Sequence, residues 1–254
     1  MRTILNMKPG GAGLRLYEQI KAKAPRAVYW PAFAFERSKQ YPVSRETILR
    51  GAEEGALLIL VSPTTVCYME DILPLLGPTV SFAAVGEPTA RALARHLPDS
   101  ADIRFPHGSS LESGSELLFH QLSEQGLPSK AVVIRAETGR EFLINALRQA
   151  GCEVSVAPLY ARIPFDAAQD EREWLGEGAA PVVYLTSTDS ADILLRNIDE
   201  KFRPWLADAD FVTIHPRIKN HLNELGFKKV HLVDSKDPEI SEKLLALACD
   251  RQNV

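Results

Sequence analysis

The stretch Leu58-Ile-Leu-Val-Ser-Pro-Thr-Thr65 is answered later in the chain by Val182-Val-Tyr-Leu-Thr-Ser-Thr-Asp-Ser190. Each is a short apolar run that breaks into a hydroxyl-rich cluster, the signature of a buried strand feeding a helix start. Outward from this pair the echo continues. Phe82-Ala-Ala-Val-Gly-Glu-Pro-Thr-Ala-Arg-Ala-Leu93 corresponds to Phe211-Val-Thr-Ile-His-Pro-Arg-Ile-Lys-Asn-His-Leu222, and Ser115-Glu-Leu-Leu118 to Ser241-Glu-Lys-Leu-Leu245. Thr3-Ile-Leu, Leu14 and Pro31-Ala-Phe33 correspond to Ala131-Val-Val-Ile, Leu143 and Pro158-Leu-Tyr160. Subtracting positions (187 minus 62, 214 minus 85, 241 minus 115, 158 minus 31) gives offsets of about 125 to 129, far beyond any solenoid period. The chain reads as two copies of one domain. Two such lobes predict a ligand cleft at the interface between domains.

Composition narrows the class. With 254 residues, each copy can bury a core of its own. A net charge of -4 lacks the basic footprint that binding a nucleic-acid backbone requires, so no nucleic-acid partner is expected. Cys67, Cys152 and Cys249 are far apart and form no Cys-x-x-Cys, which predicts neither a disulfide framework nor a zinc site and fits a reducing compartment. Met1-Arg-Thr-Ile-Leu-Asn-Met-Lys-Pro9 turns polar before a signal-peptide core forms, and no apolar run is long enough to span a bilayer. The reading is a soluble, cytoplasmic monomer with no membrane partner.

Apolar runs at Thr3 to Leu5, Leu57 to Val61, Val80 to Val85, Ala131 to Ile134, Val154 to Ala157, Val182 to Leu185, Phe211 to Ile214 and Val230 to Val233 alternate with amphipathic segments. Leu14 to Ile20, Ala90 to Leu97, Leu143 to Leu147 and Ile218 to Leu225 have helical spacing, the last with a stop at Gly226. Alternation of this kind predicts doubly wound α/β lobes with parallel sheets. Ser115 and Ser241 stand where N-caps belong. Val28 to Phe35 and Ala157 to Pro164 are extended, proline-marked stretches at equivalent points of the repeat, read as linkers outside both lobes. The acidic segment from Asp166 to Glu173 reads as a solvated helix start.

Familiar motifs are missing. Lys8-Pro-Gly-Gly-Ala-Gly13 resembles a phosphate-cradling turn, yet it completes neither Gly-x-Gly-x-x-Gly nor Gly-Lys-Ser/Thr and reads as a tight βα turn. The histidines at 96, 107, 120, 215, 221 and 231 have no metal-ligand spacing, and there is no Gly-x-Ser-x-Gly elbow. Neither a metal site nor a nucleotide-binding loop is predicted from these motifs. Attention falls on hydroxyl clusters just past strand ends, Ser62, Thr64 and Thr65 in one copy and Thr186, Ser187, Thr188 and Ser190 in the other. In α/β folds ligands bind at that carboxyl edge, although such residues also simply cap helices. Gly86 and Thr89, Ser113 and Ser115, and Arg135, Gly139 and Arg140 share the edge, arginine being able to grip carboxylates bidentately.

In order along the chain, Ser62-Pro with Val66, Val85-Gly-x-x-Thr-Ala90, Ser113-Gly-Ser-Glu-Leu-Leu118, Val133-Ile-Arg-Ala-x-x-Gly-Arg140 with Leu143 and Leu147, Gly151, Tyr160 and Leu185-Thr-Ser187 resemble the uroporphyrinogen-III synthase family. The resemblance covers nearly the whole chain, each motif being weakly specific alone. Asn6-Met-Lys8 departs from it by lacking the family's usual arginine, and Ile214-His-Pro-Arg-Ile218 by lacking glycine and threonine. That leaves the contacts of His215 and Arg217 with substrate open.

The resemblance implies a lyase that converts hydroxymethylbilane, a linear tetrapyrrole polycarboxylate, into uroporphyrinogen III with loss of water and inversion of ring D, without cofactor or metal. It also implies two flavodoxin-like lobes. The first is discontinuous, residues 1–30 with 166–254; linkers at 31–37 and 158–165 run side by side, and the second lobe is 38–157. Ser62, Thr64, Thr65, Gly86, Thr89, Ser113, Ser115, Arg135, Gly139, Arg140, Thr186, Ser187, Thr188, Ser190, His215 and Arg217 become candidates for binding substrate, with backbone amides expected to do most of the holding. Tyr160, whose repeat counterpart is Phe33, becomes the candidate general acid, its other reading being a packing tyrosine. The competing class is a bilobal cytoplasmic binding protein for an anionic small molecule, which would bind without turnover.

Overall fold

A computed structural model describes residues 1–106, 114–165, 176, 178–234 and 237–249. The chain divides into two units, Met1–Ala34 with Ile163–Val254, and Phe35–Arg162. Each is built on a parallel sheet wrapped by helices.

In the first unit, β1 (Ile4–Asn6), β2 (Ala27–Tyr29), β9 (Val182–Tyr184), β10 (Asp210–Thr213) and β11 (Lys229–Leu232) form a five-stranded sheet in the order β11-β10-β9-β1-β2. All its neighbouring pairs are parallel, with Leu5 opposite both Val28 and Val183. In the second unit, β3 (Phe33–Arg37), β4 (Leu57–Leu60), β5 (Phe82–Ala84), β6 (Ile103–Arg104), β7 (Lys130–Ala136) and β8 (Glu153–Pro164) follow the order β3-β8-β7-β4-β5-β6. Apart from the added edge strand β3, the two spatial orders match when β7, β8, β4, β5 and β6 are set against β1, β2, β9, β10 and β11. These are the pairings the sequence echo demands. The duplicated halves are one topology entered by the chain at two different points.

The apolar runs become strands because both faces of each sheet are covered. Leu58, Leu60, Val132 and Ile134 pack into one core of the second unit, while Leu57, Ile59, Ala131 and Val133 pack into another. Successive side chains of a strand point to opposite faces, so a continuous apolar run serves both. The core of the first unit gathers Ile4, Leu16, Ile20, Val182, Tyr184 and Val212.

Among the described residues the α-helices are α1 (Gly10–Lys21), α2 (Tyr41–Glu53), α3 (Pro63–Cys67), α4 (Glu87–Ala94), α5 (Gly114–Gln125), α6 (Phe142–Gln149), α7 (Thr188–Asn197), α8 (Arg203–Ala207), α9 (Pro216–Glu224) and α10 (Asp237–Cys249). Gly226, with φ of 95°, stops the chain just past α9 as expected. The glycine turn after β1 is a packing device. A Cβ on Gly13 would lie 1.7 Å from the Lys8 carbonyl oxygen. Buried Asn6 clasps the turn from both sides: its Nδ2 donates to the Gly13 carbonyl at 2.8 Å and its Oδ1 accepts from the Lys8 amide at 3.1 Å.

Three expectations need correcting. The stretches read as lying outside the lobes are sheet strands. β2 pairs with β1 through Tyr29, and β8 pairs with β7 as far as Tyr160, because their backbone groups need partners wherever they are buried. Ser241 is not an N-cap; it lies within α10, and its hydroxyl donates to the Pro238 carbonyl at 3.0 Å. Ser115 is likewise the second residue of α5. Helix α2, unforeseen in the sequence, buries Tyr41, Ser44, Ile48 and Gly51. The acidic 166–173 segment, His107 and Ser113 lie outside the described residues.

Candidate active site

Four helices begin directly after the carboxyl ends of β4, β5, β9 and β10, and all four starts carry candidate residues. Two are capped alike. Ser62 precedes α3 and its Oγ accepts the Thr65 amide at 3.2 Å, with Thr65 Oγ1 at 3.1 Å. Ser187 precedes α7 and its Oγ accepts the Ser190 amide at 3.1 Å, with Ser190 Oγ at 2.7 Å. Thr65 and Ser190 are buried, while Ser62, Thr64, Thr186, Ser187 and Thr188 are half-buried at the rim. In the second copy of the β5 position, His215 takes over the capping that Gly86 leaves to the backbone. His215 Nδ1 accepts the Arg217 amide at 3.1 Å, whereas Gly86 is extended and caps α4 without a side chain. Thr89 is buried one turn into α4.

Gly114 brings α5 against the end of β5, where a Cβ at that position would meet the Val85 carbonyl oxygen at 2.2 Å. Half-buried Ser115 therefore stands beside the Gly86 turn. The loop after β7 is braced from inside. The Arg135 side chain is only 6% exposed; its Nε donates to the Ala136 carbonyl at 3.1 Å and its Nη1 to Glu141 at 2.6 Å. Its Nη2 is buried with no hydrogen-bond partner among the described residues, 2.8 Å from where a Cβ on Gly139 would sit. Arg135 thus shapes the loop, and Gly139 is the residue that leaves it room. Arg140 is exposed at the rim and ion-paired with Glu116.

Tyr160 sits at the end of the β7–β8 ladder, 4% exposed within the second unit's core. Its ring stacks on Tyr68 with centroids 5.1 Å apart and meets the Phe35 ring edge-on at 5.3 Å. Its hydroxyl is 2.9 Å from Ser62 Oγ. Behind this group, the Tyr41 phenol donates to Asp71, and Arg37 lies over the Tyr41 ring at 4.0 Å. Burial, with the Asp71 carboxylate next, pushes the Tyr41 phenol up to about 12; burial also raises that of Tyr68. The aromatic setting of Tyr160 was invisible in the sequence, where Phe35, Tyr68 and Tyr160 are scattered over three elements.

Of the candidates, the structure joins Ser62, Thr65 and Tyr160 by direct hydrogen-bond geometry. It gathers Gly86, Thr89 and Ser115 at one strand end, and Thr186, Ser187, Thr188 and Ser190 at another.

The sequence itself matches the family model for uroporphyrinogen-III synthase HemD over residues 15–240. The chain belongs to the uroporphyrinogen-III synthase family. It is 26% identical to the uroporphyrinogen-III synthase of Escherichia coli K12, covering 92% of this chain and 96% of that one. It is 27% identical to the enzyme of Salmonella typhimurium over the same shares. In fold it is similar to the Thermus thermophilus uroporphyrinogen III synthase, with a TM-score of 0.62 at 19% identity over 98% of each chain. The Helicobacter pylori protein gives a TM-score of 0.60 at 17% identity over 98% of this chain and all of that one. Membership of the uroporphyrinogen-III synthase family assigns the chain to porphyrin and haem biosynthesis, as a lyase that cyclises hydroxymethylbilane. Among the described residues, no helix is long and apolar enough to cross a membrane.

Proposed function

We propose that this chain performs the cyclisation with its helix starts as carboxylate holders and Tyr160 as proton donor. The carboxylates of the bilane call for many hydrogen-bond donors. The starts of α4, α7 and α9 offer backbone N–H groups and the positive ends of helix dipoles, so a chain of net charge -4 can hold a polyanion without a basic surface. Thr186, Ser187 and Thr188 line the α7 start, Gly86, Thr89 and Ser115 the α4 start, and His215 and Arg217 the α9 start. Thr64 and Arg140 contribute from the rim.

The observation that carries the catalytic reading is the phenol of Tyr160 fixed 2.9 Å from Ser62 Oγ. The phenol can donate its proton to the terminal hydroxyl as it leaves, forming water and the azafulvene cation. The macrocycle then closes at the inverted ring, and the proton released on rearomatisation returns the catalyst to its starting state. Positioning of the folded bilane supplies the selectivity for inversion. On this reading the protein works in the cytoplasm as a monomer; a reducing compartment suits its free Cys67, Cys152 and Cys249.

The test is Tyr160→Phe, assayed with hydroxymethylbilane by the initial rate of uroporphyrinogen III formation, corrected for spontaneous closure to the non-inverted isomer. A loss of about ten-fold or more, at the modest end of general-acid effects, is expected. A parental rate would return Tyr160 to packing. Tight binding of the bilane with no turnover by the parent would favour the binding-protein class.

A further inference from the structure

Ser62 and Ser187 are built alike, and the difference between them is informative. Each Oγ caps its helix by accepting the amide three residues on, and each has a second hydroxyl within 3.1 Å, that of Thr65 or Ser190. Only Ser62 also meets a phenol, because the Tyr160 position of one copy is Phe33 in the other. The cap therefore functions without the phenol. A buried phenolic oxygen must still find a hydrogen-bond partner, and here that partner is a residue already committed to a helix start.

Burial orders the three hydroxyl residues. Thr65 is fully buried and Tyr160 is 4% exposed, whereas Ser62 is half-buried at the rim of the β4 end. The phenol is held still by its stack on Tyr68, the Phe35 edge and its own carbonyl, which accepts the Glu137 amide at 2.8 Å. A hydroxyl has one proton to give and two lone pairs. When Ser62 Oγ accepts both the Thr65 amide and the Tyr160 phenol, its lone pairs are filled and its single proton is free to turn outward from Thr65 Oγ1.

We propose that Tyr160 acts through Ser62: the serine hydroxyl gives its proton to the departing hydroxyl of the bilane while the phenol re-protonates Ser62 Oγ. The inference rests on the reading of Tyr160 as the acid. In this step the carbon–oxygen bond of the terminal hydroxymethyl group breaks, its electron pair leaving with oxygen. The Ser62 proton completes a water molecule, the Tyr160 proton moves to Ser62, and a phenolate remains beside the azafulvene cation. The proton lost from the ring carbon or nitrogen after closure returns along the same pair to the phenolate. No proton is gained or lost overall. Ser62 is then the catalytic group and Tyr160 the proton reservoir behind it, which gives the Ser62 side chain a role beyond the holding expected mostly of backbone amides.

The experiment compares Ser62→Gly, Tyr160→Phe, the double variant and Ser62→Thr in steady-state assays with hydroxymethylbilane, with thermal melts confirming the fold. Glycine is a tolerated N-cap, so Ser62→Gly removes the oxygen while sparing the helix start. Expected is a fall in kcat of about ten-fold or more for either single change, with KM moving much less. The double variant should be no slower than the slower single, since both changes break one path. Ser62→Thr, which keeps the hydroxyl, should restore most of the rate. If Ser62→Gly fails to fold, Ser62→Asn keeps a strong cap without the hydroxyl and takes its place. A parental kcat for Ser62→Gly, losses that multiply in the double variant, or no rescue by threonine overturns the relay. A slow Tyr160→Phe with multiplying losses leaves the acid assignment standing and removes only the relay. A parental Tyr160→Phe rate removes both.

Discussion

The guanidinium of Arg2 and the carboxylate of Asp210 meet at 2.5 Å across 208 residues of chain, tying the segment before β1 to the first residue of β10. Arg2 spends its other donors on the Ala180 and Pro181 carbonyls, at 2.5 and 3.0 Å, just ahead of β9. His231 Nε2 closes on the second carboxylate oxygen at 2.6 Å. The amino ends of three sheet strands are therefore fastened through one buried charge. Burial alone would raise the Asp210 pKa, but hydrogen bonds from His231 and Arg2 outweigh it and hold the carboxyl below its ordinary range.

Asp210→Asn should therefore destabilise the protein by about 3 kcal/mol at neutral pH, since it leaves Arg2 without its buried counter-charge. The sign with pH follows from a lowered folded pKa. The carboxylate's contribution is present above the ordinary aspartate value and fades as pH falls through the lower, folded one. Urea unfolding of parent and variant should show their stabilities converging as the solution is acidified below about pH 4. A constant gap down to strong acid would refute the ionic account.

Tyr41 gives the opposite sign. With its folded pKa raised to about 12, the neutral phenol is the favoured form. Its contribution is present below about pH 10, the ordinary tyrosine value, and is lost as pH climbs towards about 12. Alkaline titration followed by phenolate absorbance should contain a late component that disappears in Tyr41→Phe.

Two glycines of one turn make a matched pair. Gly13→Ala drives a Cβ to 1.7 Å from the Lys8 carbonyl oxygen, and we expect a loss of about 3 kcal/mol or outright failure to fold. Gly11→Ala, whose nearest neighbour would be the Arg15 side chain at 3.5 Å, should instead stabilise α1 by up to about 1 kcal/mol. Thermal melts of the two variants should move in opposite directions.

Ser187→Ala removes a helix cap and should cost about 1 kcal/mol of stability, with a small change in KM if backbone amides do the holding. Ser187→Leu should raise KM sharply in a protein that still folds, because bulk at the rim blocks approach to those amides. Equal KM values for the two variants would mean the α7 start lies away from substrate.

Much of the fold could be read directly because β4, β5, β9 and the Phe211-Val212 centre of β10 are apolar runs whose echo fixes their equivalence. Helix α2 was hidden because two of its four buried positions are Ser44 and Gly51, leaving little apolar period to detect. The stretches at Val28 and Ala157 were visible as extended segments, but their membership of the sheets was not, since a sheet partner leaves no local mark. The same limit applied to the site. The hydroxyl clusters stood out by their place after strands, whereas the Ser62–Tyr160 contact joins residues 98 apart in sequence. The inward turn of Arg135 towards Glu141 depends on rotamers that spacing alone cannot fix.

The interleaved topology also imposes an order of events at the ribosome. Phe35–Arg162 is continuous, so that unit has every strand of its sheet once its last residue has emerged. Strand β1 must instead wait for β9, its partner across some 178 residues (182 minus 4), before its second edge is covered. Until then β1, α1 and β2 form a nascent fragment with an open, apolar strand edge, the kind of surface that chaperones shield and that aggregation exploits. Strand β1, made before every other strand of either sheet, is among the last to be locked in place.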